Sequence, residues 1–446
     1  MRKTTLMIGF LLVMACMPND LDAVEKRAVL SGVQISLGHP ELAHFLEMAT
    51  QSNANATITV ERVNQAKEDF KRAASELGPD LVAGGTARAN NEVRYGRDKE
   101  ETNAFLHLTQ TLYTGGTLTA NKHAAALALS AQVVEGTRTY QEILHNVRTA
   151  YFDCLRSKAQ TQVAHEGVIL SQEHLRQAEA LFRGGMAPKG DVLRVKVSLN
   201  QSELDQITAR SNFEVSWTGL EFAVGTRLEK EKPLMVAQQE SIDELSPPAF
   251  DIPADFLERA LEQRPEIHAY RYHIDRANSL VRAAQGQRAP TITLSGQLNS
   301  DEDASSLTNG EWYAQLDLQW VLYDSGEISS NIRKAKATER ELRAQAELVV
   351  SQITQEALAA EIRLRAAVTR KELAYEQMQT SKEDYRLALR RYDAQMGTNL
   401  DVLDARRALI GSRTEYVNAV YDIAVAQSGL IYVMGEDIAT ESLFRK

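Results

Sequence analysis

Asp401 and Asp404 stand three residues apart in the run Asp401-Val402-Leu403-Asp404. On a helix that spacing sets both carboxylates on one face. Such a pair concentrates negative charge on that face, which favours cations. It can equally be a solvated charged turn, because aspartate favours a helix start. Other groups capable of chemistry are scattered. The nine histidines include no pair at metal-ligand spacing with a third ligand, so the sequence offers no metal site. The two cysteines, Cys16 and Cys154, exclude a disulfide framework and a Cys-rich zinc or iron–sulfur centre. Gly84-Gly85 and Gly115-Gly116 lack the Lys-Ser/Thr of a phosphate-binding loop. No motif implies an enzyme or a bound cofactor.

The chain that must position these residues has 446 of them, 43% apolar and 25% charged, a composition that folds. Lys and Arg number 50 against 60 Asp and Glu, leaving −10 and no basic excess for nucleic acid. No proline lies between Pro79 and Pro188, or after Pro290, which permits very long helices. Arg2 and Lys3 precede the apolar run Leu6 to Ala15, too short for a bilayer span but suited to a signal peptide over residues 1–23. It has two readable exits. Cleavage can follow Leu21-Asp22-Ala23, or the loose lipobox Val13-Met14-Ala15-Cys16 can leave an acylated Cys16. No later window holds 18 consecutive apolar residues, so no transmembrane helix is expected.

The rest is an internal repeat. Residues n and n+210 correspond over a long stretch: Leu112-Tyr113 and Gly116 with Leu322-Tyr323 and Gly326, and Asp191-Val192-Leu193 with Asp401-Val402-Leu403. Upstream the shift grows by one, pairing Pro79 with Pro290. An N-terminal repeat over 24–225 and a C-terminal repeat over 254–435 are expected, joined by a Pro- and Glu-rich connector at 226–253 and followed by a tail at 436–446. Each repeat reads as a helix, two strands, a very long helix, a short turn and a second long helix. The long helices fall at 117–183 and 189–225, then at 327–393 and 399–434.

Apolar and small residues recur three and four apart along the longest helices: Tyr140, Leu144, Val147, Tyr151, Cys154, then Val350, Ile353, Ala357, Ala360, Leu364, Ala367. This coiled-coil spacing packs helices side by side. The strands, at 81–95, 103–112, 290–299 and 312–322, alternate with period two. In the last, Trp312, Ala314, Leu316, Leu318, Trp320 and Leu322 face one way, and Tyr313, Gln315, Asp317 and Gln319 the other. Apolar-out, polar-in strands of about ten residues suit an outer-membrane barrel, with Trp312 and Trp320 at the two interfaces and His107 on the polar face. Four strands cannot close in lipid, because an open edge leaves unpaired backbone groups in hydrocarbon. Membrane strands therefore require an oligomer. The alternatives are a soluble four-stranded sheet on helices, or a non-pore periplasmic coiled-coil scaffold.

This order resembles the TolC-like outer-membrane efflux proteins. It is carried by Leu112-Tyr113-Thr114-Gly115-Gly116, Leu322-Tyr323-Asp324-Ser325-Gly326, Arg264-Pro265-Glu266-Ile267, Val147-Arg148-Thr149-Ala150-Tyr151 and Asp401-Val402-Leu403-Asp404. The resemblance implies a mainly α fold with a membrane β-part: a homotrimer whose twelve-stranded β-barrel, set in outer-membrane lipid of a Gram-negative bacterium, continues into a twelve-helix periplasmic α-barrel. It implies an exit duct for efflux or type I secretion, docked to a periplasmic membrane-fusion adaptor and an inner-membrane pump of the RND or ABC type. The transported substrate stays open. The two turns, 184–190 and 394–399, would form the periplasmic mouth. Gly185, Met186, Val192, Leu193, Met396, Val402 and Leu403 resemble positions on which adaptors dock. For Val192, Leu193, Val402 and Leu403, helix–helix packing is the equal alternative. By resemblance, Asp401 and Asp404 match acidic rings at the entrance, and Asp191 and Tyr392 match a hydrogen-bonded pair that keeps it shut. Two departures stand out. Gln395 replaces a usual glycine, and Gly397 and Gly190 replace a second latch that uses an arginine.

Overall fold

The computed structural model describes residues 40–89, 100–228, 252–300 and 312–435. The signal segment with Cys16, most of the connector, most of both strand-joining loops and the C-terminal tail lie outside the described residues.

The order is α1 (Pro40–Ser52), α2 (Ala54–Ser75), β1 (Pro79–Ala89), β2 (Glu100–Tyr113), α3 (Thr117–Arg183), α4 (Lys189–Val224), α5 (Phe256–Gln263), α6 (Pro265–Gly286), β3 (Thr291–Ser300), β4 (Trp312–Gln319), α7 (Glu327–Asp393) and α8 (Asn399–Met434). The single first helix expected of each repeat is a pair, because Asn53 caps α2 and Pro265 opens α6. α3 and α7 have 67 residues each, or about 100 Å at about 1.5 Å per residue. Both start after a glycine in the left-handed region, Gly116 at φ 86° and Gly326 at φ 93°.

The sheet is an antiparallel meander, β1-β2-β3-β4, with β1 and β4 at its edges. Its register aligns the apolar residues: Leu81 faces Leu108, which faces Gly296, which faces Ala314; Ala83, Leu106, Leu298 and Trp312 form the next row. The first strand is described to Ala89, and the rest of the expected 81–95 span is outside the described residues. The last strand is shorter than expected. Its ladder stops where Gln319 meets Thr291, because Pro290 has no N–H to extend it. Trp320 therefore lies just past the strand, its indole Nε1 donating to the Arg288 carbonyl at 3.0 Å.

Below the sheet, α3 packs on α4 and α7 on α8, and α3 joins the two pairs through α8. Burial follows that order. α3 and α8 are the inner helices, whereas of α4 only Val195, Trp217, Leu220 and Val224 are buried. The expected seam residues of α3 are all buried, as are those of α7 except Val350, which is exposed. Cys154 is buried among them, its thiol pushed up to about 11 by burial, which makes it an unreactive filler. α8 is apolar and long enough to cross a membrane by composition, but most of it is covered by its neighbours, so its apolar face serves the protein interior.

An ionic cluster ties the two halves at mid-height. Arg264, 3% exposed, bonds Glu266 at 2.6 Å and also binds Glu356 of α7. Glu266 takes Arg138 of α3 at 2.8 Å, and the Arg138 guanidinium lies 3.6 Å over the Tyr432 ring of α8. Burial alone would lower the Arg264 pKa, and its hydrogen bonds to the two glutamates outweigh that and raise it.

Candidate functional site

The two helical turns lie together at the end of the molecule remote from the sheet. Both close in the same way. At the first, Gly185 N donates to Phe182 O at 3.0 Å and Met186 N to Leu181 O at 2.8 Å. At the second, Gln395 N donates to Tyr392 O at 3.0 Å and Met396 N to Arg391 O at 2.8 Å. This is the Schellman pattern, which needs one left-handed residue. Gly185 supplies it at φ 73° and Gln395 at φ 58°. The departure from glycine at 395 thus keeps the turn and accepts backbone strain of about 1 kcal/mol.

Asp401 is committed locally. Its carboxylate accepts from Thr398 N at 2.9 Å, and Thr398 Oγ1 accepts from Asp401 N at 3.2 Å, a reciprocal cap on α8. The hydrogen bond from the Thr398 backbone holds the Asp401 carboxyl below the usual carboxylate range, so it stays charged. Asp404 pairs with Arg407 at 2.9 Å. Both carboxylates are exposed at the tip. The helix-start reading is therefore realised at Asp401 in the single chain, and both carboxylates face solvent.

Asp191 and Tyr392 are neighbours. Burial raises the Tyr392 pKa first and the Asp191 charge adds to it, but the buried Tyr392 hydroxyl has no hydrogen-bond partner among the described residues. The Asp191 carbonyl accepts from Asn399 Nδ2 at 3.4 Å, and its carboxylate lies 3.8 Å from Arg194. Gly397 closes against the backbone of Tyr392.

Sequence reasoning missed the polar layer just above. His174 of α3 stacks edge-on to Tyr392 at 5.5 Å, and Arg406 of α8 binds Ser198 Oγ of α4. His174 is buried with neither ring nitrogen hydrogen-bonded among the described residues, and Arg406 Nη1 is likewise unpartnered. Burial, with the Arg406 charge second, lowers the His174 pKa to about 4, so the ring is neutral at pH 7. Its one sequence signal is the three-and-four spacing that runs from Gly167 through Ser171 and His174 to Ala178, all buried.

The apolar tip residues divide. Val402 and Leu403 are buried, in the packing role of the two alternatives, and Val402 belongs to the tip core with Tyr385, Ala388, Tyr392, Ala405 and Leu409. Val192 is half-buried. Met186, Leu193 and Met396 are exposed, together with Leu400, which the sequence reading passed over. Gly185 is exposed with open space about its Cα.

At the other end, Trp312, Leu316 and Leu318 of β4 and Trp320 after it are exposed on the single chain. The opposite face is polar: Tyr313 donates to Gln297 Oε1 at 3.0 Å and Ser295 to Asp317 at 3.2 Å. His107 lies opposite Val82 and Gln297 on this face. Among the described residues no three potential metal-ligating side chains come together.

Known proteins share this architecture. The chain is 22% identical over 422 residues to the outer membrane protein TolC of Vibrio cholerae, covering 92% of this chain and 93% of that protein. It is 24% identical over 353 residues to the alkaline protease secretion protein AprF of Pseudomonas aeruginosa, covering 76% and 70%. Among solved structures, the CmeC outer membrane channel of Campylobacter jejuni aligns with a TM-score of 0.80 at 19% identity, over 96% of this chain and 95% of that one. The open state of the Neisseria gonorrhoeae MtrE outer membrane channel aligns at 0.75 and 19%, over 95% and 97%. The profile of the family described as "Outer membrane efflux protein" matches residues 47–226 and 256–436, one segment per repeat, and the chain belongs to that family.

Proposed function

We propose that the protein is the outer-membrane exit duct of a tripartite efflux or type I secretion system in a Gram-negative bacterium, and that it acts as a homotrimer. The open sheet carries this reading. It has a continuous apolar face, a polar face and two edges unpaired among the described residues, and it leads directly into helices about 100 Å long. Unpaired strand edges in lipid cost several kcal/mol per backbone group, so the sheet requires copies of itself. Three copies give the twelve strands and the α-barrel that the family resemblance implies. A coiled-coil scaffold without a pore has no use for the exposed row of Trp312, Leu316 and Leu318.

In this arrangement Trp312 and Trp320 sit at the two membrane interfaces. Asp401 and Asp404 from each copy surround the periplasmic mouth, and Asp191 faces Tyr392 to hold it closed. Met186, Leu193, Met396 and Leu400 offer apolar contact to a periplasmic adaptor, which links the duct to an inner-membrane pump of the RND or ABC type. Substrate choice rests with the pump.

The test is the purified protein in planar bilayers. A cation-preferring conductance is expected, and Asp401→Ala with Asp404→Ala lowers that preference. A mature protein that stays monomeric and soluble in the periplasm overturns the duct. Unchanged ion selectivity in the double variant removes the acidic ring alone.

A further inference from the structure

Just above the tip, α4 of the first hairpin and α8 of the second flank a cleft that α3 also lines. Its volume is about 710 Å³, within the range of about 300–1,000 Å³ usual for small-molecule sites. Its charged lining is mostly basic. Arg194, Arg406 and Arg407 face a single acid, Asp205, in a chain whose formal charge is −10. Two of these arginines are exposed and have carboxylates of their own: Arg194 lies 3.8 Å from Asp191, and Arg407 2.9 Å from Asp404.

Arg406 differs. It is 7% exposed and makes no ion pair among the described residues. Asp205 attracts it only from beyond ion-pair distance and is itself held by Gln201 Nε2 at 2.9 Å. Arg406 Nη2 donates to Ser198 Oγ of α4, and Nη1 has no hydrogen-bond partner among the described residues. Burial lowers the Arg406 pKa, yet a guanidinium starts so far above neutrality that it stays charged. A neutral hydroxyl does not balance a buried positive charge, whose desolvation costs several kcal/mol. The same hydroxyl is half-used: its oxygen accepts from Arg406, and its own proton has no acceptor among the described residues.

We propose that this cleft binds an oxyanion, the carboxylate or phosphate group of a small polar solute, held by Arg406 and by the Ser198 hydroxyl proton. The planar guanidinium fork matches two oxygens of such a group. Cleft walls of low dielectric focus the field of the three arginines on the entering anion. The bound group joins α8 to α4, so it adds to folding stability by mass action. The site goes beyond the duct reading and needs no second copy, because every residue that lines it belongs to one chain.

The test titrates the purified full chain with sodium phosphate, and separately with sodium acetate, by isothermal titration calorimetry at fixed ionic strength in sodium chloride. Saturable binding of an oxyanion is expected, with a rise in the thermal unfolding midpoint that chloride alone does not give. Binding of phosphate only assigns a phosphate-bearing solute, and binding of acetate only a carboxylate. Arg406→Gln is expected to weaken binding by about tenfold or more. Arg386→Gln, at an exposed arginine outside the cleft, is expected to leave it unchanged. If Arg406→Gln does not fold, Ser198→Ala keeps the arginine and is expected to weaken binding several-fold. Binding that survives both Arg406→Gln and Ser198→Ala overturns the site. So does a titration in which neither oxyanion binds more tightly than chloride, which would leave Arg406 as a packing residue that buries its stem.

Discussion

The two tips place an aspartate at the same point of the same turn and use it differently. Asp401 follows Thr398, whose hydroxyl and N–H lock the carboxylate into a reciprocal cap. Asp191 follows Pro188, which has neither group, so its side chain is left to Arg194 and to Tyr392 of the neighbouring hairpin. One residue three positions upstream thus decides whether the acid is locked into the cap of its own helix or left outside such a cap. The equator repeats the lesson. Arg264, Glu266 and Glu356 of the second repeat correspond to Asn53, Asn55 and Asn146 of the first. Asn53 closes its site with two short polar contacts, Nδ2 to the Ala223 carbonyl at 2.8 Å and Oδ1 from Asn55 N at 2.8 Å. Arg264 instead draws charges from two other elements. The first repeat is fastened by neutral hydrogen bonds, one of them to the end of α4, and the second by an ionic cluster around the buried Arg264 that spans both halves.

The sharpest way to break this comparison is to remove each fastener. Arg264→Ala leaves Glu266 to Arg138 alone and Glu356 without this partner, and is expected to cost about 2–3 kcal/mol in urea unfolding followed by far-UV circular dichroism. Asn53→Ala removes a cap and is expected to cost about 0.5–2 kcal/mol in the same measurement. Equal losses would mean that the repeats are fastened alike.

A pH series separates the tip from the equator. The folded His174 pKa, about 4, lies below the ordinary value of about 6.5. The unfolded chain therefore takes up a proton in this range while the folded chain does not. Its contribution is fully present above about pH 6.5 and declines as pH falls towards 4, by about 1–3 kcal/mol. His174→Gln is expected to flatten that slope, read as unfolding midpoint against pH. An unchanged slope would place the sensitivity elsewhere.

Smaller effects test the turns. Thr398→Ala is expected to cost about 1 kcal/mol by opening the cap on α8. Gln395→Gly is expected to gain up to about 1 kcal/mol, because glycine adopts the left-handed turn without strain, and Gly185→Gln to lose a similar amount. If both substitutions at the turns are neutral in thermal unfolding, the two turns are not held by their φ angles.

Much of the fold was legible because it follows from local rules. The absence of proline and the placement of Gly116, Gly326 and the two turns fix the long helices, which end at Arg183 and Asp393. Period-two alternation fixes the strands and their faces, though not where Pro290 ends the ladder opposite Gln319. The site was legible only in part. Spacing placed Asp401 and Asp404 on one face but could not show that Thr398 would cap one and Arg407 would pair with the other.

The periodic part follows from short-range patterns in the chain: two repeats, their helices, and the alternating strands, since heptads, alternation and chain-stiffening residues act within a few residues of themselves. Partnership is set by packing. Val402 turns inward while Met396 stays out, Arg264 gathers acids from two elements, and His174 lies buried beside Arg406. Each depends on which helix packs on which, a relation between residues hundreds of positions apart that no local pattern encodes.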